Sequence, residues 1–110
     1  TGIKPNLFRV PNGLVNEDIE TISKELDMSL VGVNIFVNDP MKFDESTIYL
    51  DVLKEIKPNT SIMVLHDGFG TVPNMNRLFI SEALEKIIKK LKKQDYKFGK
   101  LDHNGKCINN

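Results

Sequence analysis

The sequence predicts an α/β fold with the element order β-α-β-α-β-α-β and parallel strands. Apolar segments of strand length alternate along the chain with segments in which apolar residues recur at helical spacing. The predicted strands are continuously apolar, which is typical of strands buried on both faces of a parallel sheet. Turn-forming or polar residues follow each of the first three strands. Because ligands bind at the carboxyl ends of strands in such folds, chemistry is expected at these strand exits.

The first strand is predicted at residues 7–10 (LFRV), since the following residues 11–13 (PNG) are a strong turn signal. The first helix is expected to begin after Asn16, a favourable N-cap residue. It continues to about residue 27 because apolar residues recur along one helical face, namely Ile19, Ile22 and Leu26.

The second strand is predicted at residues 30–37 (LVGVNIFV), which are rich in β-branched and aromatic residues. A polar break at residues 38–40 (NDP) separates this strand from the second helix. That helix ends at residues 57–59 (KPN), and its predicted buried face consists of Ile48, Val52, Leu53 and Ile56.

The third strand is predicted at residues 61–65 (SIMVL), followed by a long irregular loop over residues 67–77. The last helix is expected to be capped by Ser81 and to bury one apolar face. A final strand is predicted at residues 96–101, and residues 102–110 are interpreted as a polar tail. The predicted buried face of the last helix consists of Leu84, Ile87, Ile88 and Leu91.

The composition limits the classes of function. The 110 residues form one domain at most, and 15 basic and 15 acidic residues give no net charge, so nothing argues for a nucleic-acid partner. No apolar run approaches the ~20 residues that span a membrane, and the single cysteine, Cys107, excludes an internal disulfide. The lysines of the last helix are interpreted as lying on its solvated face. Glu82 and Glu85 precede Lys86 and Lys89 by four residues, the favourable spacing for ion pairs on a helix surface.

Ionisable residues stand at two of the strand exits. Asp39, in the NDP break, is interpreted either as the start of an Asx-type turn before Pro40 or as a functional residue. His66, at the end of the third strand, is either a structural residue or a catalytic histidine. Because neighbouring strand residues point to opposite faces, Asp67 is expected to hydrogen-bond the exit loop instead of joining His66.

Several segments together resemble the C-terminal half of the polysaccharide deacetylase family, over roughly residues 1–101. They are TGIKPNLFRVPNG, VNDP, and SIMVLHDG followed by RLFISEALEKIIKKLKKQDYKFGKL. The strongest parts of the resemblance are Arg9-x-Pro11-x-Gly13, Leu65-His66-Asp67 and Gln94-Asp95-Tyr96-x-Phe98.

The resemblance implies a catalytic domain over residues 1–101 that is the C-terminal part of a distorted (β/α) barrel. It also implies metal-dependent hydrolysis of N- or O-acetyl groups on an acetylated polysaccharide such as chitin, peptidoglycan or xylan. The expected metal is divalent, most often zinc, and it polarises the acetyl carbonyl and the attacking water. The expected location is extracellular or in the cell envelope.

The resemblance also assigns roles to individual residues. Arg9 corresponds to the arginine that positions the catalytic aspartate, and His66 to the histidine that protonates the leaving amine. A histidine suits an acid role because its proton exchanges near neutral pH. Residues expected to bind substrate or support the site are Pro11, Asn12, Gly13, Asp39, Leu65 and Asp67.

Other motifs of the family are missing from this chain. It contains no Thr-Phe-Asp-Asp-like segment and no His-x-x-x-His pair, and His66 and His103 are its two histidines. No metal site is therefore expected within this chain, and the base and metal ligands are expected from an upstream segment or another chain. Closed barrels of this type run to ~250 residues, so the chain is interpreted as the C-terminal piece of a longer domain.

The fourth family motif is also altered. It is usually an Asp-Trp pair whose aspartate partners the last histidine, and it aligns here with Lys42-Phe43. Asp39 or Asp44 could take the place of that aspartate. The sequence therefore leaves two alternatives to an active deacetylase. One is a non-catalytic carbohydrate-binding or interaction remnant, and the other is a flavodoxin-like regulator, which the absence of a glycine-rich phosphate loop after the first strand disfavours.

Overall fold

A computed structural model describes residues 1–68 and 76–109 of the chain, and these residues form a mixed α/β structure. Two compact units are present, residues 1–32 with the described residues from 98 onward (the first unit) and residues 33–97 (the second unit). The helices are α1 Glu17–Glu25, α2 Glu45–Glu55 and α3 Leu78–Lys93. The strands are β1 Leu7–Phe8, β2 Ser29–Leu30, β3 Ile35–Phe36, β4 Met63–Val64, β5 Gly99–Leu101 and β6 Cys107–Asn109.

The described strands form three two-stranded pairs and no barrel. The β1–β2 and β3–β4 pairs are parallel, as the sequence predicts. The prediction that the last strand is parallel is wrong, because β5 pairs antiparallel with β6. The mixed α/β class is thus confirmed, while the barrel implied by the family resemblance stays a prediction.

The predicted second strand is interrupted. Residues 30–37 contain the last residue of β2 and all of β3, and the two strands are separated by a break. In this break, hydrogen bonds of the Asn34 side chain take the place of regular backbone pairing. The Asn34 side chain donates to the Thr60 carbonyl at 3.1 Å and accepts from the Ile62 N–H at 2.6 Å. An asparagine side chain can bond to backbone groups in this way, and it therefore competes with the ladder of a strand.

A hairpin occupies the segment interpreted as a polar tail. The β5 and β6 strands are joined by a turn in which the Asp102 carboxylate accepts from the N–H groups of Asn104 and Lys106. Gly105 has a positive φ of 75° there, which glycine adopts without steric cost. Asn104-Gly105 is a strong turn signal, and it outweighs the polar composition of the segment.

The packing of α2 against α3 and β3 forms the core of the second unit. Burial of Ile48, Val52, Ile87 and Leu91 is confirmed, but Leu84 is 39% exposed and Ala83 is buried in its place. The helix also begins at Leu78, before the predicted cap Ser81. The buried side chains are Ile35, Val37, Ile48, Val52, Ile80, Ala83, Ile87 and Leu91.

The apolar face predicted for α1 is largely exposed. Ile22 and Leu26 are 53% and 54% exposed, while the small polar residue Ser23 is buried and donates to the Glu20 carbonyl. The described residues of the first unit therefore do not cover this face of α1.

Two lysines of α3, Lys86 and Lys89, form ion pairs, with one difference from the prediction. Lys89 contacts Glu85 one turn earlier, as expected, but Lys86 contacts Glu45 of α2 at 3.0 Å instead of Glu82. The packing of α2 on α3 places Glu45 within reach. Among the described residues, no helix combines the length and the apolar character needed to cross a membrane.

Asp44 caps the start of α2 and makes this helix sensitive to acid. The backbone N–H of Thr47, at 2.7 Å, and then its hydroxyl donate to the carboxylate, and they lower the pKa of Asp44 below its ordinary value of 3.8. A lowered folded pKa contributes stability above the ordinary value, and this contribution is lost as the pH falls through the folded pKa.

We expect the Asp44→Asn variant to lose less of its free energy of unfolding than the wild type between about pH 5 and pH 2. Asparagine still caps helices, so the two proteins should differ little at neutral pH. Urea unfolding across this pH range measures the difference, and parallel pH curves for the two proteins would contradict it.

Candidate active site

The carboxyl ends of β3 and β4 lie at the same edge of their parallel pair. The register pairs Ile35 with Met63 and Phe36 with Val64, so the residues that follow the two strands emerge together. Asp39 follows β3 and His66 follows β4. The imidazole Nδ1 of His66 lies 2.9 Å from Oδ1 of Asp39, and the backbone N–H of His66 donates to Oδ2 at 2.7 Å.

The backbone before Asp39 turns sharply. Asn38 has a left-handed conformation (φ 50°, ψ 41°), and Asp39–Met41 form a single 3-10 turn with Pro40 at its start. The interpretation of Asp39 as an Asx-type turn residue is wrong, because its carboxylate accepts from His66, 27 residues away, instead of from the next residues. The side chain of Asp39 is fully buried, and a buried carboxylate needs such partners.

Arg77 is the third member of the cluster. Its Nη2 donates to the carbonyl oxygen of Asp39 at 3.0 Å and to Oδ2 at 3.3 Å, and its Nε donates to the carbonyl of His66 at 3.1 Å. The side chain of Arg77 is 0% exposed, and its guanidinium lies 4.9 Å from the centre of the Phe79 ring. The buried positive charge is therefore compensated by a carboxylate and by an aromatic face.

Sequence reasoning missed Arg77, because it closes a segment that reads only as an irregular loop. One signal was present. Arg77 stands at the N-cap position of α3, where the helix dipole disfavours a positive charge. A cation at that position indicates a partner elsewhere in the fold, although the sequence does not name Asp39 as that partner.

The cluster fixes the chemistry of the imidazole. An ionised carboxylate only accepts hydrogen bonds, so the 2.9 Å contact with Asp39 favours the tautomer of His66 with the proton on Nδ1. The reacting nitrogen is then Nε2, which accepts a proton when the ring is neutral and donates one when it is charged. The His66 side chain is 39% exposed, whereas Asp39 is 0% exposed. The arrangement therefore combines an accessible proton carrier with a buried, oriented carboxylate.

The choice between Asp39 and Asp44 as the partner of His66 is now decided. Asp39 contacts His66, and Asp44 caps α2. Lys42 donates to the Val37 carbonyl at 2.5 Å and pairs with Asp51 at 2.8 Å. Lys42 therefore ties the 3-10 turn to α2, and the Asp39–His66 contact is formed without it.

The other predicted site residues lie in different surroundings. Arg9 belongs to the first unit, is exposed, and donates through Nε to the Val31 carbonyl at 3.4 Å. Pro11, Asn12 and Gly13 form a tight turn in which Asn12 and Gly13 have positive φ values of 60° and 69°. This turn follows β1, where the sequence predicts one.

Beside His66, Leu65 is half-buried and packs against the core, and Asp67 is exposed. Most of the loop that Asp67 was expected to hydrogen-bond, residues 69–75 of the predicted loop 67–77, lies outside the described residues. Within residues 1–68 and 76–109, no three His, Cys, Asp or Glu side chains form a group that could hold a metal ion.

A scan against protein-family models finds no family that matches the chain, and a search of the curated proteins finds no match either.

Proposed function

We propose that this chain supplies the acid half of a polysaccharide deacetylase-type hydrolase, which removes acetyl groups from an acetylated polysaccharide. The observation that carries the proposal is the contact between His66 and the buried carboxylate of Asp39 at the carboxyl edge of β3–β4. The family resemblance implies a histidine in this sequence position with an aspartate partner. A strand-end site in a parallel pair is also where α/β proteins place their chemistry.

The proposed roles follow from the contact between Nδ1 of His66 and Asp39. With both nitrogens protonated, His66 donates the Nε2 proton to the leaving nitrogen while the carbon–nitrogen bond of the acetamide breaks. The Nδ1 proton stays hydrogen-bonded to Asp39, which holds the ring in its orientation. Water provides the hydroxyl that ends on the acetyl carbon, and its proton goes to the base assigned to the companion segment, so the products are acetate and a free amine. The donation leaves His66 neutral, and it takes up a proton again before the next turnover.

The metal site implied by the resemblance does not fit the described residues of this chain, which contain no group of three ligands. We therefore derive no step through the metal from this chain, and we assign the base and the metal ligands to a companion segment, upstream or on another chain. Arg9 would position the companion's aspartate. The uncovered apolar face of α1 is consistent with such a companion, and the resemblance favours an extracellular or cell-envelope location.

The test is acetate release from acetylated glucosamine oligomers in the presence of zinc or cobalt. It uses the natural protein, meaning this chain together with its companion segment. We expect His66→Gln to lower the rate by about 100-fold or more, which is the scale of general acid catalysis. His103→Gln is the matched control, since His103 lies in the β5–β6 turn and contacts Asn104, and it should leave the rate unchanged. An absence of turnover, or equal rates for His66→Gln and the wild type, would contradict the proposal.

One observation favours a second function, carbohydrate binding without catalysis. Phe43 is 65% exposed and lies just after the turn that carries Asp39, and exposed aromatic rings offer an apolar surface to the faces of sugar rings. Oligosaccharide titration in the absence of metal separates the two functions. Binding that persists while the natural protein releases no acetate would support this second function.

A further inference from the structure

One side chain, Arg77, contacts both partners of the Asp39–His66 pair. Its Nη2 reaches the carboxylate and the carbonyl of Asp39, and its Nε reaches the carbonyl of His66. The two strand exits are thus joined by a single planar group placed at the start of α3. Arginine suits this position because its donors are arranged in a rigid fork.

The contacts divide the oxygens of Asp39 between different donors. Oδ2 accepts from Arg77 and from the backbone N–H of His66, while Oδ1 is left for the imidazole Nδ1. Without Arg77, the carboxylate would be held only by two groups of His66, the backbone N–H and the imidazole, and it could rotate more easily and exchange its oxygens. Arg77 opposes that rotation, because it also bonds to the main-chain carbonyl of the same residue.

The charges lead to the same conclusion. Asp39 and Arg77 are both fully buried and have opposite signs, so the pair is electrically balanced before His66 takes part. Without the guanidinium, Asp39 would carry a buried charge without its partner, and such a charge is costly.

We propose that Arg77 is the positioning residue of this site, and that it holds Asp39 in the orientation that keeps the proton of His66 on Nδ1 and leaves Nε2 as the reacting nitrogen. Its consequence for catalysis rests on the proposed function. The effect on the tautomer of His66 does not, so the two can be tested separately. Arg77 itself contacts no reacting atom in this scheme.

The tautomer can be measured directly in the whole chain by ¹⁵N NMR of the imidazoles at a pH where they are neutral. The chain has two histidines, so a His103→Gln background leaves the signals of His66 alone. In the wild type we expect the Nδ1–H form to dominate. In Arg77→Lys, which keeps the charge but loses the fork, the ratio of Nδ1–H to Nε2–H should fall about tenfold, the scale of one hydrogen bond to a charged group.

Lys42→Met is the matched control. It removes another cationic side chain that ties the same turn in place, through Val37 and Asp51. The backbone N–H of residue 42, which donates to the Asp39 carbonyl, is kept, and the side chain bonds to neither Asp39 nor the imidazole, so the tautomer ratio should equal that of the wild type. Arg77→Met, if folded, should shift the ratio at least as far as Arg77→Lys. An unchanged ratio in Arg77→Lys, or an equal change in Lys42→Met, would overturn the proposal.

The activity of the natural protein supplies the second measurement. Arg77→Lys should lower kcat with little change in KM, since Arg77 positions the acid and does not bind substrate. If the tautomer ratio changes as expected but the natural protein releases no acetate, the proposed function fails while the positioning role stands. If the ratio does not change, the positioning role fails whatever the activity.

Discussion

Replacing Asp39 by alanine is expected to lower the free energy of unfolding by about 3–5 kcal/mol, the cost of breaking a buried ion pair from one side. The variant leaves the guanidinium of Arg77, which is 0% exposed, without its carboxylate. It also leaves the backbone N–H of His66 without an acceptor. Since a domain of this size is stable by only about 5–15 kcal/mol, the variant should unfold at a clearly lower urea concentration.

Two further variants distinguish the loss of the buried Asp39–Arg77 ion pair from a general effect of removing an aspartate. Asp44→Ala removes an exposed helix cap and should cost clearly less than Asp39→Ala. Adding Arg77→Met to Asp39→Ala should recover part of the loss, because no uncompensated charge then remains in the interior. Equal losses for Asp39→Ala and Asp44→Ala would show that Asp39 is not buried against Arg77.

Truncating Ile87 to alanine is expected to cost about 2–5 kcal/mol, because the variant loses the transfer energy of a buried side chain and leaves a cavity. Ile87 is 0% exposed and lies at the centre of the face of α3 that packs against α2. The energy is lost from the second unit, which also carries the site, so chemical unfolding followed by circular dichroism measures it.

Leu84→Ala is the matched control for Ile87→Ala, since Leu84 lies one turn earlier on the same helix and is 39% exposed. The hydrophobic pattern of the sequence assigns both residues to one buried face of the helix, so it predicts similar losses of free energy of unfolding for the two variants. The structure predicts a clearly smaller loss for Leu84→Ala. Equal losses would mean that the buried face of α3 is the one expected from the sequence.

Local patterns accounted for the elements that depend on local interactions. The spacing of Ile48 and Val52 identified α2, and the Asn16 cap marked the start of α1. The run SIMVL correctly located β4 and so placed His66 at a strand exit. These features were predictable because propensity, capping and periodicity act between residues that are close in the chain.

Features that depend on distant partners were not predictable. Asp39 resembled a turn residue because its neighbours Asn38 and Pro40 favour turns, and only the pairing of β3 with β4 brings His66 to it. Lys86 pairs with Glu45, which helix packing places closer than the glutamate one turn away. In both cases a tertiary contact prevails over the local pattern, since it adds interactions that the local segment lacks.

The sequence by itself determined the α/β class, the main helices, and the position of His66 at the end of a strand. The tertiary structure decided that the carboxylate facing His66 is Asp39, and that Arg77 holds both of them. The physical reason is that a buried charge must find its partner in space. The three residues come from two strand exits and a helix start, which only the packing of the second unit brings together.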